Sequence, residues 1–294
     1  RDDVESRGLG DVYKRQQWTD VVSVSSVGES LYNFYGFVCD GVYKDLEDLQ
    51  TSPKPAKYPA NGVFDRTNTV WVGDVKYKDI SGPDGVPDGV IDDYDKTNIG
   101  SPMPKFTFGW TNTFRYKNFD LSVFINGSYG NKVYNYLSMK LTHMNSPWTN
   151  QLNAVNGRAQ LVPINPNKVY EDGTMWYNDV SNVMVANPGA SIPRATINDP
   201  NDNDRISDRY IEDGSYIRLK NISLGYTFPK KTIDKLGLSN LRIYANIQNL
   251  LTITGYDGYD PEIGASTSSV NVYGLDNGRY PSPTVYSFGL NVSF

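Results

Sequence analysis

The last nine residues constrain this chain most tightly. From Tyr286 to Phe294 the side chains alternate without a break. Tyr286, Phe288, Leu290, Val292 and Phe294 fall on one side of an extended strand, and Ser287, Gly289, Asn291 and Ser293 on the other. A soluble sandwich strand can alternate in the same way, with one face on a core and the other in water. Chain ends usually fray in water, however, and seldom finish on their most hydrophobic strand. A strand that is apolar on one side, small or polar on the other, and ends on an aromatic suits the closing strand of an outer-membrane barrel.

Composition agrees with that reading and removes several others. No apolar run among the 294 residues approaches the ~18 needed for a membrane-spanning helix. Mean hydropathy is −0.50, which still leaves barrels open because their strands hide the apolar face in alternation. The 22 Tyr outnumber the 11 Phe and 5 Trp, as expected of interfacial girdles or of carbohydrate- and peptide-contacting surfaces. The net charge of −5 speaks against a nucleic-acid partner. Cys39 can form no internal disulfide, and His143 alone offers little for a multi-histidine metal site. Residues 1–16 are polar, fit nothing that follows, and read as non-native or read-through sequence without a signal-peptide core. Residues 17–294 therefore carry the fold.

Period-two segments recur along the chain. Between residues 105 and 115, Phe106, Phe108, Trp110 and Phe114 oppose Thr107, Gly109, Thr111 and Thr113. Between residues 118 and 128, Phe119, Leu121, Val123 and Ile125 oppose Asp120, Ser122 and Asn126. The polar Tyr116-Lys117-Asn118 between them predicts a hairpin. The segment 217–228 changes face partway, which predicts a bulge near Asn221. Residues 241–248 alternate again, and 21–27 and 32–43 read as two further strands. Roughly eight strands of about ten residues result, the length a tilted strand needs to cross a bilayer. A short helix is expected near 230–236. Residues 141–213 and 255–283 read as long loops, and loops of that size fit one side of a membrane barrel better than a compact soluble domain.

One loop carries recognisable metal-ligand spacing. Residues 84–95 place Asp84, Asp88, Asp92 and Asp95 at positions 1, 5, 9 and 12 of a calcium loop. Gly89 sits at the sharp turn and the Val90 carbonyl at position 7. Val86 stands where a ligand is expected and Asp95 is shorter than the usual Glu, so a solvated acidic turn is the alternative. A bound ion would brace the loop; no cofactor is required. Phosphate loops, HExxH, GxSxG and CxxC patterns are absent, and no carboxylate pair is placed to face a cleft, so an enzyme is not expected.

Six motifs in order then resemble a known family: residues 28–45 (GESLYNFYGFVCDGVYKD), 73–95 with the IGSPMP that follows, 106–130, 208–225 (DRYIEDGSYIRLKNISLGY), 241–251 (LRIYANIQNLL) and the terminal YSFGLNVSF. Together they resemble the C-terminal barrel portion of SusC/RagA-type TonB-linked outer-membrane transporters of Bacteroidetes-like bacteria. The resemblance implies an all-β, antiparallel transmembrane barrel of roughly 22 strands, of which this chain is the C-terminal part. It further implies import of glycan or peptide fragments across the outer membrane of a Gram-negative bacterium. A SusD-like surface lipoprotein would act as lid, and TonB would couple energy through an N-terminal portion. The family's acidic segment is expanded here at residues 79–87, which unsettles the ion site.

On this reading Phe106, Phe108, Trp110, Phe119, Leu121, Val123, Phe288, Leu290 and Val292 face lipid, and Thr111, Asp120, Asn126, Asn246 and Asn291 line the lumen. Trp148, Trp176 and Tyr177 in the long loop would contact substrate or lid, or else only pack the loop on itself. Tyr286, Phe288, Leu290, Val292 and Phe294 would be read by the barrel-assembly machinery. Two alternatives stay open: a soluble secreted sandwich that binds carbohydrate with calcium, and a surface-adhesion barrel without transport.

Overall fold

The computed structural model describes residues 13–17, 20–263 and 273–294. Five long strands form one antiparallel sheet: β1 (Phe106–Tyr116), β2 (Phe119–Tyr129), β3 (Tyr216–Thr227), β4 (Asn240–Thr254) and β5 (Val285–Ser293). Their spatial order is β5-β4-β3-β2-β1, so every strand pairs with its neighbour in sequence. The hairpin expected at Tyr116–Asn118 joins β1 to β2, with Lys117 in the left-handed region at φ 51°.

Register puts the apolar residues of all five strands on one face. Cross-strand rows run Phe119–Tyr226–Ile243–Leu290, then Leu121–Leu224–Ala245–Phe288, then Val123–Ile222–Ile247–Tyr286. Because paired residues share a side, one slip in register would turn a whole strand over. The predicted bulge is present: Phe124 and Ile125 pair with Asn221 and Leu219, leaving Lys220 as the extra residue. That insertion keeps Ile217 and Leu219 on the same face as Ile222 and Leu224 although their spacing is odd. The apolar face is exposed, with Phe288 83% and Phe106 55% accessible. An exposed apolar surface of this breadth marks contact with lipid or another apolar partner.

The opposite face carries Thr111, Asp120, Asn126, Asn246 and Asn291, as expected of a lumen side. Exceptions occur on both faces. Phe124 lies on the polar one, its ring over Gly109, and Asn112 sits on the apolar face opposite Val123. Ion pairs cross the polar face. Arg242 of β4 reaches over β3 to Asp120 of β2 through two hydrogen bonds, of 2.6 and 3.1 Å. The gap it uses is Gly225, where a Cβ would strike both the guanidinium and the Asp120 carboxylate. Arg218, buried on β3, holds Asp260 and Glu262 of the loop after β4 and donates to Thr252 Oγ1 at 2.9 Å. The helix expected at 230–236 appears as Lys230–Ile233 continued by a 3₁₀ turn, Asp234–Leu236.

The two additional wall strands expected at 21–27 and 32–43 are not there. That region instead forms the short strands Asp20–Ser25, Asn33–Gly36 and Cys39–Val42, within a separate compact unit drawn from residues 13–101, 134–211 and 273–277. Phe34, Phe37, Val42 and Tyr43 are all buried, including two consecutive residues, so neither face of this segment is free for lipid. Among the described residues the wall therefore has five long strands where roughly eight were expected. Tyr13–Gln17 pairs with Asp20–Ser25, and residues 1–12, most of the segment set apart on composition, lie outside the described residues.

The long segment 141–213 folds back onto this unit instead of running free. Ala159, Val183, Val185 and Ala190 close a core with Val42, Tyr43, Leu49, Val70, Trp71 and Val72. Below it, Asp74 accepts the Trp71 backbone N–H at 2.8 Å and pairs with buried Arg194 at 2.7 Å. Gly73 makes the turn at φ +87°, packed against Leu161, Arg194 and Ala159.

Replacing Gly225 with Val should separate Arg242 from Asp120 and overpack the polar face, at a cost of about 1–3 kcal/mol. The thermal unfolding midpoint should fall accordingly, while Gly255→Ala, at a glycine with open space around it and no left-handed backbone, should cost less.

Candidate functional site

The acidic loop is held by its own backbone. Asp95 is fully buried and turned inward. Its Oδ1 accepts the Ile80 and Ser81 N–H groups at 2.7 and 3.2 Å, and its Oδ2 accepts from Asp92 N at 2.9 Å. Asp92 caps the 3₁₀ turn Asp93–Asp95 by accepting from Tyr94 N at 2.8 Å. Asp88 accepts from Val90 N at 2.9 Å, Val90 itself bridges to Lys54, and Asp84 is exposed. Among the described residues, no three of these four carboxylates bring oxygens within 4.8 Å of one another. The expected ligands lie along one loop but are not gathered round a common point.

The structure brings Trp176 and Tyr177 together and leaves Trp148 apart from them as an exposed side chain. The Trp176 and Tyr177 rings meet edge to face, with centroids 5.6 Å apart. Trp176 packs on the core, and the Arg66 guanidinium lies 4.9 Å from the Tyr177 ring centre. Trp148 is 93% exposed. Of the terminal residues, Tyr286, Phe288, Leu290 and Val292 project from one face of β5, and Phe294 is the residue after it.

A cluster that sequence reading passed over lies in the compact unit. His143, dismissed above as lone, donates from Nε2 to Asp199 at 2.8 Å and from Nδ1 to Asp204 at 3.0 Å. Only the doubly protonated imidazolium has two donors for two carboxylates. Asp199 also accepts from Asn203 N at 2.9 Å, and Asn203 donates to Asp74 Oδ1 at 3.1 Å. The polar chain from His143 to Arg194 therefore pins the Asn- and Asp-rich run 198–204 to the core. These three residues form the one His/Cys/Asp/Glu group, among the described residues, with ligand atoms within 4.8 Å. Hydrogen bonds already account for both imidazole nitrogens. Nothing in local spacing could reveal the cluster, because 56 residues separate His143 from Asp199; the dense acidic run was the single visible hint.

Beside it opens a cleft of about 940 Å³. Phe37, Tyr134 and Tyr136 form its aromatic floor, and Lys96, Lys140, Arg205, Asp93, Asp202 and Asp204 supply charge of both signs. Cations already cover some of the rings. Lys96 and Arg205 sit over Phe37, and Lys140 over Tyr136, at 5.2–5.4 Å. Burial pushes the Asp202 carboxyl up. Burial also acts on Asp204, but the His143 hydrogen bond and charge prevail and hold it below the usual range.

Burial alone would lower the His143 pKa, yet its two carboxylate partners raise it from 6.5 to about 9. A pKa higher in the folded than in the unfolded state stabilises fully below pH 6.5 and loses that contribution as pH rises through about 9. Raising the pH from 6 to 10 should therefore lower the protection factor of the Asn203 amide, the factor by which its exchange is slowed relative to an unstructured amide at the same pH, because Asp199 holds it. His143→Ala should remove this dependence and cost on the order of 3 kcal/mol by leaving two carboxylates without their cation.

Comparison with known proteins agrees with this architecture. No family model matches the chain. It is 32% identical over 272 residues to TonB-dependent receptor P3 of Formosa agariphila, covering 91% of this chain and 22% of that protein. It is 29% identical over 209 residues to the TonB-dependent receptor SusC of Bacteroides thetaiotaomicron, covering 70% of this chain and 17% of SusC. In fold it matches the RagAB peptide importer in its open-open state, with a TM-score of 0.60 and 18% identity over 98% of this chain and 24% of that one. The chain thus spans about a sixth to a quarter of the length of the relatives it matches. Sequence likeness across most of the chain and fold likeness across nearly all of it lead to one conclusion: the chain belongs with the SusC/RagA-type TonB-dependent receptors and supplies part of their antiparallel barrel.

Proposed function

We propose that this chain forms part of the barrel wall, and part of the ligand-facing region, of an outer-membrane importer of glycan or peptide fragments. The observation that carries the reading is the five-strand sheet, predominantly apolar on one side and predominantly polar on the other. In a bilayer the apolar side meets hydrocarbon while the ladder satisfies the backbone, and the polar side borders an aqueous lumen. Short links join β1 to β2 and β3 to β4, whereas the long segments lie at the opposite strand ends. That asymmetry is the usual one between periplasmic turns and extracellular loops.

On this reading the 141–213 segment, which joins strand ends away from the short links, is extracellular. The cleft's mixed charges and aromatic floor would contact the incoming fragment, and exposed Trp148 with the Trp176–Tyr177 pair would contact fragment or lid. A SusD-like surface lipoprotein serves as that lid, TonB supplies energy through segments outside this chain, and the work is transport rather than catalysis. The terminal strand, Tyr286, Phe288, Leu290, Val292 and Phe294, is the part read by the assembly machinery.

The test uses the full-length receptor expressed in a Gram-negative host. It should fractionate with the outer membrane and migrate differently on a gel when unboiled, and TonB-dependent uptake should appear with a labelled oligopeptide or oligosaccharide. Recovery in the soluble fraction would overturn the reading. Val123→Arg, near mid-sheet on the apolar face, should destabilise the inserted barrel by about 2–4 kcal/mol, whereas Asn246→Arg on the polar face should insert normally.

A further inference from the structure

We infer that Tyr244 and Gly289 form a register lock that seats the terminal strand β5 at one position along β4, so that assembly of the wall uses an element on its polar face as well as the apolar row of β5. The inference rests on the proposed membrane wall and on the assembly role given there to the terminal strand.

Alternation alone leaves the register of β5 open in steps of two. A slip of one residue turns the strand over, but a slip of two keeps every side chain on its own face. The polar side of β5 offers Ser287, Gly289, Asn291 and Ser293, and its apolar side Tyr286, Phe288, Leu290 and Val292. Moving β5 by two would set Ile243 opposite Phe288 or Val292 instead of Leu290, still apolar against apolar. The connection does not decide the matter either. Residues 255–284 join β4 to β5, far too long a link to dictate register as a tight hairpin does. Contacts at the strand ends are equally permissive. Ser239 N donates to Ser293 O at 2.8 Å and Asn249 Nδ2 to Pro283 O at 3.0 Å, and every residue offers such a backbone carbonyl.

One pair does discriminate. Tyr244 stands directly opposite Gly289, and the edge of its phenol ring occupies the place where a Cβ on residue 289 would stand. Gly289 is the one glycine of β5, so neither Ser287 nor Asn291 could take its position without striking the ring. An aromatic ring laid over a glycine of an edge strand covers the bare backbone and pins the register. Tyr244 is also closed off on its other side. Gly225 is its partner on β3, and the space above that glycine is filled by the Arg242 guanidinium and the Asp120 carboxylate. Arg242 lies 5.2 Å from the Tyr244 ring centre and is itself paired with Asp120. A continuous brace, Asp120–Arg242–Tyr244–Gly289, therefore crosses from β2 to β5 on the polar face, with the ring directed towards β5.

The experiment moves the glycine. In the full-length receptor, Ser287→Gly with Gly289→Ser shifts the seat by two residues and leaves composition unchanged. Register is read by disulfide formation in outer membranes. Gln248→Cys with Val285→Cys reports the observed pairing, and Asn246→Cys with Val285→Cys reports the slip that brings Tyr244 opposite residue 287. The unswapped receptor should link through the first pair and the swapped receptor through the second; adding Tyr244→Ala to the swap should abolish that preference. A second measurement follows the rate at which pulse-labelled receptor reaches the form that migrates differently unboiled. Tyr244→Phe, which keeps the ring, should match wild type, whereas Tyr244→Ala should be slower by about fivefold. A swapped receptor that links through the observed pair would overturn the lock. If the swapped receptor fails to insert, the rates decide, and equal rates for wild type, Tyr244→Phe and Tyr244→Ala would overturn it. Absence of the heat-sensitive outer-membrane form in wild type would instead sink the membrane-wall reading on which the lock depends.

Discussion

The antiparallel ladder joining the five long strands is the interaction on which the rest depends. It satisfies backbone donors and acceptors between neighbours and leaves the side chains to alternate, so one face can become wholly apolar without stranding polar groups. From that single geometry follow the exposed Phe and Leu rows, the polar face opposite, and the need for ion pairs such as Arg242–Asp120 to stay on the polar side. It also explains the bulge at Lys220. An odd spacing between apolar residues must be absorbed somewhere, and an extra residue in one strand absorbs it without inverting the remainder.

The compact unit obeys a different rule. Its strands are short, its apolar residues are buried on both sides, and its stability comes from ordinary core packing around Trp71 together with buried polar links. The Asp74–Arg194 pair and the Asn203–Asp199–His143–Asp204 chain tie loop segments that share no regular secondary structure. Buried ionic groups of this sort add little net stability when complete but are costly to break, which suits them to holding one loop conformation rather than many. A cleft lined by such loops can present fixed charges of both signs.

Much of the wall was legible in sequence. The alternation in 106–116, 119–129 and 285–293, the hairpin at Lys117 and the bulge near Asn221 all leave local marks, because a strand's period of two and a turn's left-handed residue act over a few positions. The same local logic misled at Tyr32–Tyr43, where aromatic spacing resembles a wall strand but Phe34, Phe37, Val42 and Tyr43 all turn into a core. The acidic loop shows a related limit. Spacing proposed common ligands, yet Asp95 satisfies the backbone of Ile80 and Ser81, partners that no pattern in 84–95 contains. His143 is the clearest case: a lone histidine gains meaning only from two aspartates 56 and 61 residues away.

By itself, then, the sequence determined which side of each long strand is apolar, where the chain turns between them and the family to which the chain belongs, since these depend on nearest neighbours and on ordered motifs. Tertiary structure decided how many strands join the wall, that residues 141–213 close a core instead of trailing as a loop, and that His143, Asp199 and Asp204 meet. Those outcomes depend on contacts between distant segments, where burial and charge pairing act through space and leave no periodic trace along the chain.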